Sequence, residues 1–218
     1  VDQETCLRHL KMFASFILNE ENIVSNMKYD NSEKIERTLV IIKPDNWRYP
    51  SSRPGAIIDM FSRTGLRIIG CKVGQMSVAQ ALEFYGPVES VLKKKLAPVA
   101  GRQARQFLEE QFNIHLDNEM EEQLTECFGV EYARDQFNKI INFMSGYIPG
   151  ECPPEDLEKP GRVKSMILIY EGENAVEKIR SVLGPTDPTQ APGGTIRKEF
   201  GSDVMVNTAH ASDSPENA

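Results

Sequence analysis

The sequence predicts an α+β fold in which one antiparallel sheet carries helices. Short β-branched runs recur between helix-favouring segments. Once a charged helical stretch is set aside, their order is β-α-β-β-α-β, the split-βαβ or ferredoxin-like arrangement, with the helices expected on one face of the sheet. The charged stretch, at about residues 87–135, is predicted to be a mostly helical insertion. Residues 1–35 are predicted to be an N-terminal helical extension, which leaves residues 36–218 as one interrupted domain.

The elements of the first part follow from their hydrophobic patterns. Residues 5–29 place apolar side chains at near-helical spacing, which predicts an amphipathic helix. The continuous apolar run from Leu39 to Ile42 predicts a strand buried on both faces, and Pro44 ends it. The segment PGAIIDMFSRTG predicts a helix, LRIIGCKVGQMS a second strand, and VAQALEFYG a short helix.

The insertion is charged and helix-favouring, with breaks expected at Pro98, Gly101 and Gly129. After it, EYARDQFNKIINFMSG predicts a helix, VKSMILIYEG a third strand, and ENAVEKIRSVLG a further helix. The segment PTDPTQAPGGTIRKEFGS is predicted to be a long loop without regular structure. The final strand is expected at Val204–Val206, with His210 in the polar turn that follows.

Composition restricts the class of protein. A net charge of -7 over 218 residues argues against a general binder of nucleic acids or membrane surfaces. No apolar run approaches the roughly 18 residues of a membrane span, and the N-terminal residues lack the pattern of a signal peptide. Four scattered cysteines without a C-x-x-C pair predict reduced thiols, although a disulfide stays open. We therefore expect a cytoplasmic protein.

His210 has surroundings that suit phosphate chemistry. Asn207 precedes it and Ser212 follows it, while the long loop supplies Arg197 and the preceding helix supplies Arg180. Fixed cations bind anionic oxygens, and a neutral imidazole has a free lone pair with which to attack a phosphoryl group. A lone histidine is more often an exposed or core residue, so both interpretations stay open at this point.

Lys43 lies where the first strand ends, in IIKPDNW. An exposed lysine at a strand end is the usual interpretation. The functional alternative is a phosphate-binding lysine that forms a local positive pocket with Arg180 and Arg197. The sequence has neither a P-loop nor a kinase glycine-rich loop, so the common nucleotide cradles are absent from it.

Several motifs, in order along the chain, resemble those of nucleoside diphosphate kinases. ERTLVIIKPDNW is similar to that family's opening signature, and IRSVLGPTDP to its helix-to-loop segment. PGGTIRKEF followed by NTAHASDSPENA is similar to its phosphate loop and its N-x-x-H-G-S-D signature. The resemblance covers roughly residues 36–86 and 137–218. Ordered matches of this kind are far more specific than one short motif.

The resemblance implies a ping-pong transfer in which His210 takes the γ-phosphoryl group of a nucleoside triphosphate and passes it to a nucleoside diphosphate. It implies that Lys43 contacts phosphate and the ribose hydroxyl, that Tyr85 lies beside the transferring phosphate, and that Asn207 contacts the ribose. Ser212 would support the histidine. The phosphate-binding positions it implies are Arg180, Thr186 and Arg197.

The resemblance also implies Mg²⁺ carried by the nucleotide phosphates rather than by protein side chains, and a homo-oligomer, either a hexamer or a tetramer. No specific nucleic acid and no membrane are expected as partners. The base is expected to lie against an apolar clamp. Phe137 is a candidate for that clamp, although a core position is the more usual role for such a residue.

The chain departs from the family pattern at several points. Ala211 stands where the signature has glycine, Asn46 and Asp187 replace a common glycine and asparagine, and the phosphate loop has an extra glycine. The family's downstream glutamate would fall beyond Ala218. The insertion and the missing glutamate favour an alternative, a nucleotide-binding or regulatory module on the same fold with weak or no transferase activity. A histidine phosphatase or a metal site lacks a second set of ligands.

Overall fold

The computed structural model describes residues 34–47 and 51–218. The residues from Glu36 to Ala218 form one compact unit. Four strands form one sheet in the order β2-β3-β1-β4, and the outer pairs β1–β4 and β2–β3 are antiparallel. The strands are β1 (Ile35–Ile42), β2 (Arg67–Gly74), β3 (Ser165–Glu173) and β4 (Ala209–Ala211). The predicted N-terminal helix lies outside the described residues.

Six α-helices accompany the sheet in the described ranges. They are α1 (Arg53–Ser62), α2 (Val78–Phe112), α3 (Asn118–Leu124), α4 (Val130–Ser145), α5 (Ala175–Leu183) and α6 (Ile196–Phe200). With α2 to α4 treated as the insertion and its flanks, the order of elements is βαββαβ. The predicted fold class and the helical character of the insertion are confirmed.

Helices cover both faces of the sheet. Side chains alternate along a strand, so Val40 and Ile42 of β1 point to one face and pack in a core with Ile57 of α1 and residues of α5. Ile41 points to the other face and packs in a second core with Phe137 of α4 and residues of α2. The two helices of the βαββαβ order, α1 and α5, therefore share one face, as expected with the insertion set aside. The helices that flank and form the insertion bury the second face, as the apolar run of β1 requires.

The predicted short helix at VAQALEFYG is the beginning of a helix of 35 residues. A capping box of Ser77 and Gln80 starts α2, and the helix continues through Pro87 and Pro98. Each interior proline removes a backbone hydrogen bond and costs about 3 kcal/mol or more. The expected break at Pro98 was wrong because packing against α4, which local sequence does not reveal, stabilises the helix through these positions.

Gly101 and Gly129 allow close packing rather than ending helices. A Cβ built on Gly101 would overlap Thr125, and one built on Gly129 would overlap the carbonyl group of Ala97. The chain passes through Gly129 in a π-helical turn, Thr125–Gly129, that leads directly into α4. The breaks expected at both glycines were therefore wrong, since these residues let two helices approach each other.

The C-terminal segment holds two further corrections. The predicted irregular loop contains a 3-10 turn, Pro188–Gln190, as well as α6. Val204–Val206 is a turn and not a strand, because Asp203 Oδ1 accepts hydrogen bonds from the backbone N–H groups of Met205 and Val206, both at 2.8 Å. The last strand is β4, and His210 lies inside it rather than after it.

Candidate active site

Strand β4 presents His210 on the face of the sheet that α2 covers. His210 pairs with Ile41 in the register of β1, so the two side chains share that face. Its neighbours Ala209 and Ala211 point into the opposite core. Ala211 is buried and does not have a positive φ, so glycine is not needed at this departure from the family signature.

The imidazole of His210 lies against two aromatic rings of α2. The Phe84 ring centroid is 5.2 Å from that of His210 with the ring planes 77° apart, and the Tyr85 ring is 6.4 Å away. Burial, and then the positive charges of Lys43 and Arg197, lower the pKa of His210 to about 4. The imidazole is therefore neutral at physiological pH and keeps a lone pair for nucleophilic attack.

The turn after β1 holds the start of β4 in place. Thr208 is buried and adopts φ 70°, a costly conformation for a β-branched residue. Its N–H donates to Asp45 Oδ2 at 3.2 Å, and its carbonyl accepts from the N–H of Lys43 and from Asn46 Nδ2, both at 2.8 Å. Asp45, Asn46 and Thr208 were not predicted to have roles. Their contacts join residues more than 160 positions apart, so the sequence carries no local signal for them.

Lys43 is a partly buried cation that lines the site. Its Nζ donates to Asn207 Oδ1 at 2.6 Å and to the carbonyl of Met205 at 3.4 Å. Burial, and then repulsion from Arg197, lower the pKa of Lys43 to about 8. The ammonium group also lies 5.9 Å from the centre of the Phe143 ring, which places the end of α4 beside it.

The side-chain amide of Asn207 forms hydrogen bonds within the protein. Its Nδ2 donates to the carbonyls of Thr186 and Val204, at 3.1 and 2.8 Å, while its Oδ1 accepts from Lys43. One lone pair of Oδ1 is left for another donor. In this arrangement Asn207 connects three segments of the cavity wall and orients the lysine.

Arg197 and Tyr85 keep unpartnered donors in the site. The Nη1 and Nη2 groups of Arg197 donate to the carbonyls of Gly184 and Ala209, at 2.9 and 3.0 Å, whereas its Nε has no partner in the described ranges. Burial, and then Arg180, lower the pKa of Arg197 to about 10, so it stays charged. The buried Tyr85 hydroxyl also lacks a partner there, and burial raises its pKa, so it stays a neutral donor. Such groups suit anionic oxygens.

One cavity of about 570 Å³ collects six of the eight predicted site residues. These are Lys43, Tyr85, Thr186, Arg197, Asn207 and His210. The rest of its lining is mainly apolar: Val88, Leu92, Ile140, Phe143, Met144, Val204 and Met205, with Gln136 and Asp203. A cationic end with a nucleophile, joined to an apolar end, matches the two chemically different ends of a nucleotide.

Two predicted residues lie outside that cavity. Arg180 is exposed and lines a neighbouring cavity of about 600 Å³ with Asp213, from which its charge still lowers the pKa of His210. Ser212 is buried, and its hydroxyl has no partner in the described residues. Phe137 lies in the core between sheet and helices, as its more usual role predicted, and not in the cavity.

The described ranges contain no group of three or more His, Cys, Asp or Glu residues that could hold a metal ion. His115, which had no motif partner in the sequence, is exposed. Its imidazole contacts Glu109, and both residues are far from β4 in the sequence. No described helix is long and apolar enough to cross a membrane.

Comparison with known proteins agrees with this geometry. The family model for nucleoside diphosphate kinase matches residues 36–95 and 95–218. Nucleoside diphosphate kinases of Anaeromyxobacter sp. (strain K) and Azorhizobium caulinodans are each 33% identical over 184 residues, which cover 84% of this chain and 84% and 88% of theirs.

Solved structures show the same relation. The NDP kinase of Pyrobaculum aerophilum aligns with a TM-score of 0.54 at 26% identity, covering 84% of this chain and 91% of that one. The nucleoside diphosphate kinase of Aquifex aeolicus aligns with a TM-score of 0.50 at 26% identity, covering 84% and 89%. The fold, the histidine on the edge strand β4 and these matches agree. The chain belongs to the nucleoside diphosphate kinase family of phosphotransferases.

Proposed function

We propose that this enzyme moves the γ-phosphoryl group of a nucleoside triphosphate to a nucleoside diphosphate through a phosphohistidine on His210. One observation carries the proposal: a neutral imidazole opens into a cavity that also contains Lys43 and Arg197. A neutral imidazole is a nucleophile, and two fixed cations attract the polyphosphate on which it would act.

The transfer is two displacements at one phosphorus atom. A lone pair of the His210 imidazole forms an N–P bond, the bond from the γ-phosphorus to the bridging oxygen breaks, and the nucleoside diphosphate leaves with that oxygen. A terminal oxygen of a second diphosphate then attacks, the N–P bond breaks, and the imidazole is neutral again. Because donor and acceptor have the same shape, one cavity serves both steps.

The surrounding groups stabilise the charge on the transferred phosphoryl group. In the proposed complex, the positive charges of Lys43 and Arg197 attract anionic oxygens, and the Tyr85 hydroxyl donates a neutral hydrogen bond. Thr186 lies exposed at the rim, where its hydroxyl reaches the phosphate chain. Arg180 adds positive potential from the neighbouring cavity, and Ser212 supports the end of β4.

Magnesium is part of the proposal as a companion of the nucleotide. The lining of the cavity is cationic or neutral apart from Asp203, whose Oδ1 is already bonded to two backbone N–H groups. This donor set fits an ion held by phosphate oxygens rather than by a protein cage. When bound, Mg²⁺ neutralises charge on the phosphates.

Assembly as a hexamer or tetramer and a cytoplasmic location also belong to the proposal. The family relation supports both. In addition, the edge strand β2 exposes Ile68 and Val73, which are 40% and 49% accessible, and subunit contacts commonly cover apolar edges of this kind.

Labelling with γ-³²P-ATP tests the transfer. We expect an acid-labile, base-stable phosphoprotein that loses its label on addition of a nucleoside diphosphate. His210→Ala should abolish the label, because the proposed N–P bond forms on this imidazole. His115→Ala, an exposed histidine outside the cavity, should label like the wild type.

The binding-module alternative makes the opposite prediction. If wild-type protein binds ATP in calorimetry but never acquires label, the transferase proposal is wrong and the binding-module interpretation is correct.

A further inference from the structure

The insertion carries an apolar groove far along α2 from the catalytic cavity. This insertion groove has a volume of about 440 Å³ and is lined by Ala100, Gln103, Ala104, Phe107, Leu108, Phe128 and Tyr132. Its α2 residues have the spacing of one helical face, and the rings of Phe128 and Tyr132 stack with 6.4 Å between their centroids. Tyr85 precedes Phe107 by 22 residues in α2. At a rise of about 1.5 Å per residue the two lie about 33 Å apart along the helix, so the groove is separate from the catalytic cavity.

The rings of the insertion groove leave a large apolar area in contact with water. Phe107, Phe128 and Tyr132 are 60%, 50% and 40% accessible. A fully buried aromatic side chain covers about 150–250 Å², so these three expose roughly 300 Å². Apolar patches of this size on a monomer are often functional, and a specific interface takes about 800 Å² from each partner, with an apolar centre and a polar rim. The groove supplies such a centre, and the exposed residues Gln106 and Glu110 lie beside it on α2.

The insertion groove has the features of a surface that pairs with a second copy of itself. Phe107, the most exposed of its rings, lies on the same helical face as Ala100 and Ala104, whose small side chains leave space beside them. The two surfaces of a two-fold contact are identical, so each must carry both a projecting group and the space that receives it. The insertion groove carries both within a few residues of α2.

The exposed charges of α2 fit the same pairing. Lys93–Lys95 precede the groove and Glu110 follows it, and all of these residues are exposed. A two-fold axis that crosses α2 near its midpoint between Lys94 and Glu110 makes the two helices antiparallel, so the basic residues of one copy face Glu110 of the other. That midpoint is Arg102, which falls within the stretch 100–108 that lines the groove. Opposite charges placed in this way fix the register of a contact.

We propose that the insertion groove joins two copies of this chain in a two-fold contact, with Phe107 of each copy seated in the groove of the other. A second copy fits better than a different protein because one chain supplies the ring, the space for it and both signs of charge. The contact lies on other elements than the apolar edge of β2, so it is an additional interface. It goes beyond the proposed function, because it requires neither a nucleotide nor phosphotransfer.

Sedimentation velocity of the full-length protein over a dilution series tests the contact. Phe107→Glu should raise the concentration at which the assembly dissociates by at least about a hundredfold, as the loss of a central interface residue does. Ala104→Phe should raise it as well, although it adds apolar surface, because the new ring occupies the space that receives Phe107. Phe112→Glu is the matched control, since Phe112 is a ring of the same helix that is 67% accessible and outside the groove. That variant should dissociate like the wild type.

Labelling of the same proteins with γ-³²P-ATP separates this inference from the proposed function. The three variants should acquire label like the wild type, because the groove lies outside the catalytic cavity. The inference is wrong if Phe107→Glu dissociates at the same concentration as the wild type, if Ala104→Phe strengthens the assembly, or if Phe112→Glu weakens it as much as Phe107→Glu does. None of these results depends on label, and a wild type that never acquires label contradicts only the phosphotransfer proposal.

Discussion

Individual side chains in the site have pKa values shifted from those that they have in water. Lys43 is a partly buried ammonium whose pKa is lowered to about 8, chiefly by loss of hydration and then by Arg197. Its contacts with Asn207 and Met205 compensate for part of the lost hydration. A cation that is weakly hydrated and already oriented gains more from a phosphate than an exposed lysine does, which gives the residue a reason to be buried.

The lowered pKa of Lys43 predicts a pH dependence of nucleotide affinity. As the pH rises through about 8, the ammonium group loses its proton and its attraction for phosphate, so ATP affinity should fall. Calorimetry between pH 7 and pH 9.5 measures this fall in affinity. At the upper end of that pH range, binding of the nucleotide should take up as much as about one proton. Lys43→Arg stays charged over this range. An affinity profile of Lys43→Arg that falls as steeply as that of wild type would contradict the assignment.

At the scale of elements, the insertion is a helical arm whose packing depends on small residues. Ala97, Ala100 and Gly101 of α2 are buried against the segment that contains Gly129, and Ala133 follows at the start of α4. Glycine in a helix costs roughly 1 kcal/mol of stability relative to alanine. It is retained where the close approach of two helices contributes more stability than this cost. The packing of these two helices in turn forms the apolar end of the nucleotide cavity.

Gly101→Ala tests the close packing of the arm. The added methyl overlaps Thr125, including its backbone atoms, so the free energy of unfolding should fall by about 1–3 kcal/mol. Gly55→Ala is the control, at an exposed position of α1 where a Cβ would meet nothing within 4 Å. That change should stabilise the protein by up to about 1 kcal/mol. Urea denaturation of both variants measures the difference, and equal effects would show that Gly101 is not needed for closeness.

At the scale of the whole molecule, the active site lies between the sheet and the helical arm. The core of α1 and α5 supports one face of the sheet, and the core of α2 and α4 covers the other. His210 therefore lies under a layer that a bare βαββαβ sheet would not have on that side. The burial that makes its imidazole a neutral nucleophile also makes its protonation unfavourable for folding.

The pKa of His210 predicts a loss of stability in acid. In the unfolded chain the imidazole titrates near 6.5, and in the folded protein near 4. Between these values the unfolded state binds more protons, so stability falls as the pH decreases from about 6.5 to about 4. The loss attributable to this group is roughly 2–3 kcal/mol, allowing for its partial exposure.

His210→Gln should remove that loss. Urea denaturation of both proteins at pH 7 and pH 4 gives the difference, in which other groups cancel, including Asp45, whose pKa is raised by burial and which acts in the opposite direction. Parallel stability profiles for the two proteins would show that the imidazole is protonated as easily in the folded state as in the unfolded one.

Much of this protein can be read from local patterns. The apolar run of β1 predicted a strand buried on both faces, and Val40, Ile41 and Ile42 are almost inaccessible. The order of strands and helices was likewise visible as sequence, whereas the residues of the phosphate and histidine motifs were identified by their resemblance to a known family. These features depend on alternation, helical periodicity and residue type within one segment, which is information that the chain carries locally.

Tertiary structure alone decided the rest. Packing on Gly101 let α2 run through Pro98, the register with Ile41 placed His210 inside β4, and hydrogen bonds with Thr186 and Lys43 committed Asn207 to the wall of the cavity. The protonation states of Lys43 and His210 also depend on burial by distant segments. Each of these outcomes is an interaction between residues far apart in sequence, whose free energy exceeds the local preferences that a sequence pattern expresses.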